Sequence, residues 1–495
     1  MPLSALELSV SPPSTTEPKN LQVRDPLVLT RAQHPISRKD IDEHALRVLY
    51  RLSSFGCLAY LVGGSVRDLF LQRRPKDFDI ATDARPSRLK KIFKNCRIIG
   101  RRFRIAHVYF PSGKIIEVST FRRGSQTVIK TPKGTILSDN EYGSPQEDAL
   151  RRDLTINGLF YDIESFSVID YVGGVQDLRE RIVRTIADPD QSFLEDPVRM
   201  IRVLRHASRT GFHIEPATLQ AIHHNRDQIR QANTARLLEE NLKDLKGGAA
   251  APYYRLLLET QLLDCLVPSL AAQLQEHGDE HPFWSRMQAL DRLVDRGATF
   301  TNPLLLSVQL HTLLFRSTET WLGTRNNPPD VWRYLSAHWR ELSKSLRISR
   351  RDVERITQIL ISLRKLVQSY ERKQLIASLH RKPYLSEALD FLEIVLLAQG
   401  KPTELLAEWR KHAPPPPLPE PRYRFFEQDS GDAPSEEVPA DLALDIEESE
   451  DGPGESAGAH EATDGATSDR PPPGGTSGRR RRRRGGRRRQ RKRSP

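Results

Sequence analysis

Two aspartates, Asp77 and Asp79, stand on either side of Phe78 in a segment whose composition predicts a β-strand. Alternate side chains of a strand share a face, so both carboxylates point to one side while Phe78 enters the core. Two carboxylates on one face can hold paired divalent ions, and Mg²⁺ prefers such oxygen ligands. Paired metals of this kind serve phosphoryl transfer. A solvated acidic strand edge that pairs with Arg73 or Arg74 fits the same pattern.

A pair of glycines precedes these aspartates. The apolar run 57–62 ends at Gly63 and Gly64, and an amphipathic segment follows at once. This order predicts a strand, a glycine turn and a helix, a turn at which backbone N–H groups can approach a phosphate. Arg67 adds a charge-assisted phosphate contact. The alternative is an ordinary tight turn with a surface ion pair between Arg67 and Asp68.

A third carboxylate can come from either of two places. Glu117 lies on a predicted strand, and Asp153 follows Arg152 in the sequence Arg-Arg-Asp-Leu-Thr-Ile-Asn. The residues alone do not choose between these two acids. The arginines before Asp153 can equally end a helix, where they offset the negative end of its dipole.

The segment Glu195-Asp-Pro-Val-Arg199 opens the second half of the chain. A fixed carboxylate on Asp196 and a guanidinium on Arg199 can present an acceptor and a donor to a nucleobase edge, as side chains do when they read bases. Asp196 is also a good helix cap and Pro197 a favoured first helical residue. Further arginines continue along the same helix face at three- and four-residue steps, and they can form a solvated face: Arg202, Arg205 and Arg209.

The pattern around these motifs predicts an α+β domain followed by an all-α region. Strands are expected at 57–62, 78–81, 97–99, 105–110, 115–121, 155–162, 168–172 and 182–186, and helices at 38–55, 65–71, 86–94 and 148–153. A mobile loop is expected at 122–146 because it has no apolar period. The predicted division is a disordered segment 1–36, a catalytic head 37–186, a helical neck 187–270, a helical RNA-binding body 271–413, a Pro-rich and acidic disordered linker 414–478 and an Arg-rich tail 479–495.

The charge of the chain indicates a nucleic-acid partner. Twelve Arg or Lys and no acid lie between residues 479 and 493, which equals the whole net charge of +12. Residues 427–469 contain fifteen acids and no Lys or Arg. A basic tail of this kind is an electrostatic footprint of nucleic-acid binding. No apolar run is long enough to cross a membrane, and no signal peptide is evident, so we expect a cytoplasmic protein.

Four motifs together resemble the superfamily of class II tRNA nucleotidyltransferases and bacterial poly(A) polymerases. They are residues 61–68, 77–82, 151–157 and 195–199. The resemblance, over about residues 40–265, implies a polymerase-β-like nucleotidyltransferase head followed by helical neck, body and tail regions. It implies these roles: metal binding by Asp77 and Asp79, a further acidic position at Asp153, nucleotide contacts from Gly63, Gly64, Arg67 and Arg152, base reading by Asp196 and Arg199, and a pocket lined by Arg202 and Arg205.

Residues 98–110 and the Arg-rich C-terminus resemble the poly(A) polymerase branch, and Arg101, Arg102 and Arg104 can hold RNA phosphates. We therefore expect template-independent addition of AMP from ATP to RNA 3′ ends with two Mg²⁺ ions, on mRNA or small RNA. A CCA-adding or A-adding enzyme that acts on tRNA is one alternative. A non-catalytic RNA-binding protein that works through its basic body and tail is the other.

Overall fold

A computed structural model describes residues 25–100, 104–123, 129–130, 136–138, 141–314, 348–375 and 377–414. Twelve strands lie in these ranges: β1 Leu27–Leu29, β2 Ala59–Val62, β3 Asp79–Thr82, β4 Cys96–Ile99, β5 Ile105–Tyr109, β6 Ile115–Thr120, β7 Ile129–Lys130, β8 Ile136–Ser138, β9 Leu159–Asp162, β10 Ser167–Asp170, β11 Ile182–Val183 and β12 His213–Ile214. All strands therefore precede residue 215, in the described part of the chain.

The described α-helices are these: α1 Glu43–Ser54, α2 Gly64–Phe70, α3 Pro86–Ile92, α4 Pro145–Leu150, α5 Gly174–Glu180, α6 Pro189–Glu195, α7 Val198–Thr210, α8 Pro216–Asn225, α9 Thr234–Leu245, α10 Ala250–Glu259, α11 Leu262–Leu266, α12 Pro268–His277, α13 Pro282–Asp295, α14 Asn302–Leu314, α15 Arg350–Glu371, α16 Leu385–Ala398 and α17 Leu405–Arg410. A mixed α and β region followed by helices confirms the predicted fold class. No described helix is long and apolar enough to cross a bilayer.

One eight-stranded sheet organises the first region, in the order β1-β10-β9-β2-β3-β6-β5-β4. The pair β3 and β6 is parallel and the other neighbours are antiparallel. Leu61 and Ile80 face the large core that also contains α1. Val62, Ala81 and Phe160 face a smaller apolar cluster on the opposite side. The sheet thus has two covered faces, and β2 and β3 lie near its centre.

The N-terminal boundary of this region differs from the prediction. Disorder up to residue 36 is wrong for β1, which pairs antiparallel with β10, and Ile36 is buried in the core. Ser37 caps only a short 3₁₀ turn. Helix α1 starts later because the Asp42 carboxylate accepts the backbone N–H groups of His44 and Ala45.

Three predicted segments also have a different local form. Residues 155–157 form a 3₁₀ turn rather than the start of a strand, and β9 begins only at Leu159. The segment predicted as a loop contains β7 and β8, which pair with each other. The strand predicted at 182–186 is the short β11, which pairs with β12 outside the main sheet. Helix α4 begins at Pro145, where Ser144 and Glu147 form a capping box.

Candidate active site

The two predicted metal-binding aspartates lie beside the glycine turn. Val62, the last residue of β2, is the register partner of Asp79, the first residue of β3. Asp77 and Asp79 are exposed while Phe78 between them is buried, as alternation in an extended segment requires. Both carboxylates therefore face the same side as Val62, next to the start of α2.

The turn itself requires glycine at its first position. Gly63 has φ +72° and ψ −137°, a conformation that other residues adopt only with strain. A methyl group there would lie 3.3 Å from Nη1 of Arg152, and one on Gly64 would lie 3.4 Å from Nη2 of Arg67. Two guanidinium groups therefore approach the turn at the N-terminus of α2.

Arg152 is held in place on the face of the sheet that carries Asp79. Its Nε and Nη2 donate to Asp148 Oδ2, at 3.2 and 2.8 Å, and its guanidinium lies over the Phe160 ring. Phe160 is the register partner of Val62. These contacts use one edge of the guanidinium and leave Nη1 directed toward Gly63.

Arg67 is buried, so the alternative of a surface ion pair with Asp68 is wrong in its location. The pair does exist, with Nη2 2.7 Å from Asp68 Oδ1. Nη1 donates to Asn157 Oδ1 at 2.6 Å and lies 3.0 Å from Nδ1 of His206. Most donors of Arg67 therefore bind protein atoms, and its contact with a nucleotide stays a prediction.

The structure separates the two candidates for the third carboxylate. Glu117 on β6 is the register partner of Asp79, and its Oε1 lies 3.8 Å from Nε2 of His107. Asp153 instead accepts from Arg202 Nε at 2.6 Å and from Asn157 Nδ2 at 3.3 Å. Glu117 thus lies beside the exposed aspartates, whereas Asp153 belongs to a half-buried ion pair with Arg202.

Asp153 begins a chain of charged contacts between the sheet region and the helices. Arg202 also lies 3.7 Å from Glu240, and the Arg205 Nη1 donates to the same Glu240 carboxylate. Burial alone raises the pKa of Asp153, but Arg202 more than offsets this and holds the pKa below its usual value. Glu240 behaves in the same way, and its pKa falls to about 2. Because Arg205 is buried, the solvated-face interpretation of these arginines is wrong for this residue.

Asp244, the last residue of this series of charged contacts, differs from Asp153 and Glu240 in its pKa. Its carboxylate is buried beside the Tyr253 hydroxyl, and Arg205 Nε lies 3.7 Å from Oδ1. Burial raises its pKa to about 8.

The predicted base-reading pair lies at the start of α7. Asp196 Oδ1 accepts the Val198 N–H at 3.3 Å, but α7 begins at Val198, so the N-cap position belongs to Pro197 rather than to Asp196 as predicted. Arg199 Nη1 donates to Ser192 Oγ at 2.9 Å. Arg236 on α9 holds both oxygens of Asp196 at 3.0 Å. These contacts leave Asp196 able to contact a nucleobase as well, and base reading by Asp196 and Arg199 stays a prediction.

Four residues of the site were not singled out from the sequence: Asn157, His206, Arg236 and Glu240. Asn157 lies in the Arg-Arg-Asp motif, and His206 stands one turn after Arg202 on α7, so motif position and helical spacing could have indicated them. Arg236 and Glu240 lie on α9, far away in sequence, and carry no local signal. Burial lowers the pKa of His206, and the nearby Arg67 lowers it further.

Two cations before Asp77 attach the segment that carries Asp77 and Asp79 to the helices. Arg73 donates to the carbonyl oxygens of Arg209 and Thr210 at the end of α7, at 3.0 and 3.4 Å. Lys76 Nζ donates to the Lys246 carbonyl after α9 at 3.0 Å. Cations are favoured at helix C-termini. These two carbonyl groups therefore hold the Arg73 side chain at the end of α7.

Other sequence predictions lie outside the described residues: Arg101, Arg102, nearly all of the Pro-rich and acidic linker, and the Arg-rich tail. Among described residues no group of three or more His, Cys, Asp or Glu side chains is arranged to hold one metal ion. The candidate metal ligands therefore form a pair, Asp77 and Asp79, with Glu117 beside it in register.

Family models match two parts of the chain. Residues 59–184 match the poly A polymerase head domain, and residues 211–274 match the probable RNA and SrmB-binding site of polymerase A. Poly(A) polymerase I of Salmonella typhimurium is 48% identical over 259 residues, which is 51% of this chain and 56% of the relative. The chain thus matches little more than half the length of this relative.

CCA-adding enzymes are similar over a longer range. The CCA-adding enzyme of Bacillus licheniformis is 32% identical over 365 residues, covering 73% of this chain and 84% of the relative. The crystal structure of the Bacillus stearothermophilus CCA-adding enzyme in complex with CTP has a TM-score of 0.52 and 27% identity, and covers 74% of this chain and 81% of that one. The chain therefore belongs to the class II nucleotidyltransferase superfamily of bacterial poly(A) polymerases and CCA-adding enzymes.

Proposed function

We propose that this protein adds AMP from ATP to the 3′ ends of RNA without a template. The observation that supports this most directly is the exposed pair Asp77 and Asp79 beside a glycine turn approached by Arg152. In this reaction the RNA 3′-oxygen forms a bond to the α-phosphorus of ATP. The bond from that phosphorus to its bridging oxygen breaks, and pyrophosphate leaves with the electron pair.

The residues of the chain divide this work. Gly63 and Gly64 admit the triphosphate close to the backbone, and Nη1 of Arg152 donates to a phosphate oxygen there. Asp196 and Arg199 bind the base edge at the other end of the nucleotide, and Arg202 and Arg205 support the pocket through Asp153 and Glu240. The nucleotide would thus extend from the start of α7 to the glycine turn.

The donor types fit Mg²⁺. Asp77 and Asp79 are exposed carboxylates on one face, Glu117 is the register partner of Asp79, and Mg²⁺ prefers oxygen ligands that leave room for substrate phosphates. Bound there, Mg²⁺ would activate the 3′-oxygen and neutralise charge on the leaving pyrophosphate.

Sequence similarity favours ATP and a general RNA primer. Identity is 48% over 259 residues to a poly(A) polymerase I, against 32% over 365 residues to a CCA-adding enzyme. The second candidate is a tRNA nucleotidyltransferase, which the wider coverage of the CCA-adding enzyme supports. In either case Asp196 and Arg199 would do the same work.

Primer extension separates these candidates. Full-length protein with ATP or CTP is offered an unstructured oligoA and a tRNA that lacks its CCA end. Many AMPs added to oligoA, with little CMP, support the proposal. Addition that stops after C, C and A on tRNA only, with no extension of oligoA, indicates tRNA repair. RNA binding without incorporation of any nucleotide indicates a non-catalytic RNA-binding protein.

The Asp77→Asn and Asp79→Asn variants test the site within the same assay. Both side chains are exposed, so folding should survive while AMP incorporation is lost. The matched control is Glu180→Gln, an exposed acid on α5 whose Oε1 accepts from Gln176. Near-normal turnover by either folded aspartate variant would move the site elsewhere.

A further inference from the structure

Arg236 makes the most extensive contact with the proposed base reader. This residue lies in the first turn of α9, where Asn233 caps the helix. Its Nη1 donates to Asp196 Oδ1 and its Nη2 to Oδ2, both at 3.0 Å. The two side chains are partly exposed, at 47% for Arg236 and 28% for Asp196. Such a fork fixes the rotation of the carboxylate as well as its charge.

The contacts of Asp196 limit what else it can accept. An ionised carboxylate offers about four lone-pair sites. The fork of Arg236 takes one on each oxygen, and the Val198 N–H takes a second on Oδ1. One acceptor site remains, on Oδ2. Asp196 can therefore accept one N–H group from a nucleobase, but not two adjacent ones.

Nucleobases differ in this respect. Adenine and cytosine each present one amino donor beside a ring-nitrogen acceptor on the pairing edge. Guanine presents two adjacent donors, N1–H and the 2-amino group, which a carboxylate binds as a fork through both oxygens. Arg236 already occupies that side of Asp196 with a fork of its own.

The ring-nitrogen acceptor has a donor nearby. Arg199 Nη1 donates to Ser192 and lies 3.7 Å from a Glu195 carboxylate oxygen. Among the described residues, its other N–H groups therefore remain available to a base. One acceptor on Asp196 and one donor on Arg199 match the pairing edge of adenine or cytosine. Guanine would need two acceptors, one for its N1–H and one for its 2-amino group, and its pairing edge also carries the O6 acceptor.

We propose that Arg236 excludes guanine by occupying the fork-binding side of Asp196. It is a positioning residue, because it acts on the base through Asp196. This inference rests on the proposed function, since it requires that Asp196 reads the incoming base. Removing the guanidinium leaves the Val198 N–H as the hydrogen-bond donor to Asp196 among the described residues, so both carboxylate oxygens become available to the N1–H and amino group of guanine.

The experiment measures single-nucleotide addition to oligoA with ATP, CTP, GTP and UTP by full-length protein. Arg236→Met keeps the apolar stem and removes the fork, and Arg236→Lys keeps the charge but cannot form the fork. We expect the ratio of kcat/KM for GTP to that for ATP to rise about tenfold in Arg236→Met, as befits one hydrogen-bonded pair at a base edge, and less in Arg236→Lys. The control is Arg230→Met, which removes a neighbouring arginine that pairs with Asp227.

The GTP-to-ATP ratio, the KM for ATP and the Asp196→Asn variant together separate the outcomes. An unchanged GTP-to-ATP ratio in both folded Arg236 variants would overturn the proposal, as would an equal rise in Arg230→Met. A lower KM for ATP without a change in ratio would also overturn it, because Arg236 would then only compete with the base for Asp196. Asp196→Asn is measured in parallel. If it alters nucleotide choice while the Arg236 variants do not, the base-reading role stands and only the role of Arg236 fails.

Discussion

Asp153 and Glu117 both carry a carboxylate, but the two carboxylates lie in different surroundings. Asp153 accepts from Arg202 and Asn157 inside the network, whereas Glu117 is the register partner of an exposed aspartate. A carboxylate whose oxygens already bind buried donors is a poor candidate for a metal ligand. We therefore assign Glu117, rather than Asp153, as the further ligand in the proposed site.

Substitution of these two acids should give opposite results. Asp153→Asn removes the charge opposite Arg202, so we expect a loss of about 3 kcal/mol in the free energy of unfolding. Glu117→Gln should change stability by no more than about 0.5 kcal/mol. It should lower AMP transfer about a hundredfold at limiting Mg²⁺, with partial recovery at high Mg²⁺.

Urea unfolding and a Mg²⁺ titration of primer extension check both effects. The control is Glu180→Gln, which removes one negative charge from an exposed residue on α5. A folded, stable Asp153→Asn protein without activity, together with an active Glu117→Gln protein, would reverse this assignment.

Asp244 should make stability depend on pH. Burial raises its pKa from 3.8 to about 8, so the folded protein keeps a proton that the unfolded chain releases above about pH 4. The folded state therefore binds more protons in this range, and the contribution of Asp244 to stability falls as pH rises, by at most about 1.4 kcal/mol per unit. Asp244→Asn should remove this dependence.

The measurement compares urea unfolding of wild type and Asp244→Asn at about pH 5 and about pH 8. The variant should gain relative to wild type at the higher pH. Asp279→Asn, which removes an exposed acid that pairs with Arg255, is the control. A constant difference between wild type and Asp244→Asn would show that Asp244 is ionised throughout.

At the scale of single residues, the sequence predicted groups that are close in the chain. The alternation at Asp77 and Asp79 and the glycine turn needed only local rules. Burial of Arg67 and Arg205 depended on Asn157, Glu240 and other distant partners, and no local pattern indicates such partners. The interpretation of these arginines as surface groups failed for that reason.

Helix α7 connects the parts of the proposed site. Asp196 and Arg199 lie at its start, Arg202 and His206 contact Asp153 and Asn157 along its middle, and its last carbonyl groups hold Arg73. One helix of thirteen residues therefore carries the proposed base-reading residues at its start and contacts both the charged network and the segment before Asp77. We infer that it keeps these parts at fixed distances.

Breaking the attachment of the segment before Asp77 tests this inference. Arg73→Gln combined with Lys76→Gln removes both cations from the ends of α7 and α9, at a cost of about 1 kcal/mol or less for each. We expect kcat to fall about tenfold because misplacement by a small distance weakens catalysis strongly. KM for ATP should change little because Asp196 and Arg199 are untouched.

Steady-state kinetics with ATP and oligoA give the two constants separately. Arg74→Gln, at the position between the two cations, is the matched control. The conservative pair Arg73→Lys and Lys76→Arg should restore most of kcat. An equal effect of Arg74→Gln, or a change confined to KM, would show that the two contacts do not position Asp77.

At the scale of elements, periodicity predicted the type of most strands and helices and missed those that depend on partners. β1 is three residues long, and its pairing with β10 gives it its form. The 3₁₀ turn at 155–157 follows from its place under α2 and α5, where Thr155 donates to Asp177 at 2.6 Å. Both elements are only three residues long, which is too short for an alternation of apolar and polar residues to indicate them.

At the scale of the whole molecule, charge is divided unevenly along the chain. The twelve cations between residues 479 and 493 equal the net charge of +12, and the fifteen acids of 427–469 precede them. These segments lie outside the described residues, so their role is a prediction from charge alone. Two outcomes compete: the cations bind RNA phosphates, or they bind the acids that precede them in the chain.

We predict that the tail binds RNA and that its contribution depends strongly on salt. Each phosphate neutralised on a single strand contributes about −0.7 to the slope of log K against log salt, so engagement of about half the tail cations gives roughly −4. Deletion after Gly478 should flatten this slope and weaken primer binding chiefly at low salt, with single-turnover AMP transfer on saturating primer unchanged. A full-length variant with the tail cations replaced by Gln controls for length and should behave like the deletion. Equal slopes in all three proteins would assign RNA binding to the rest of the chain.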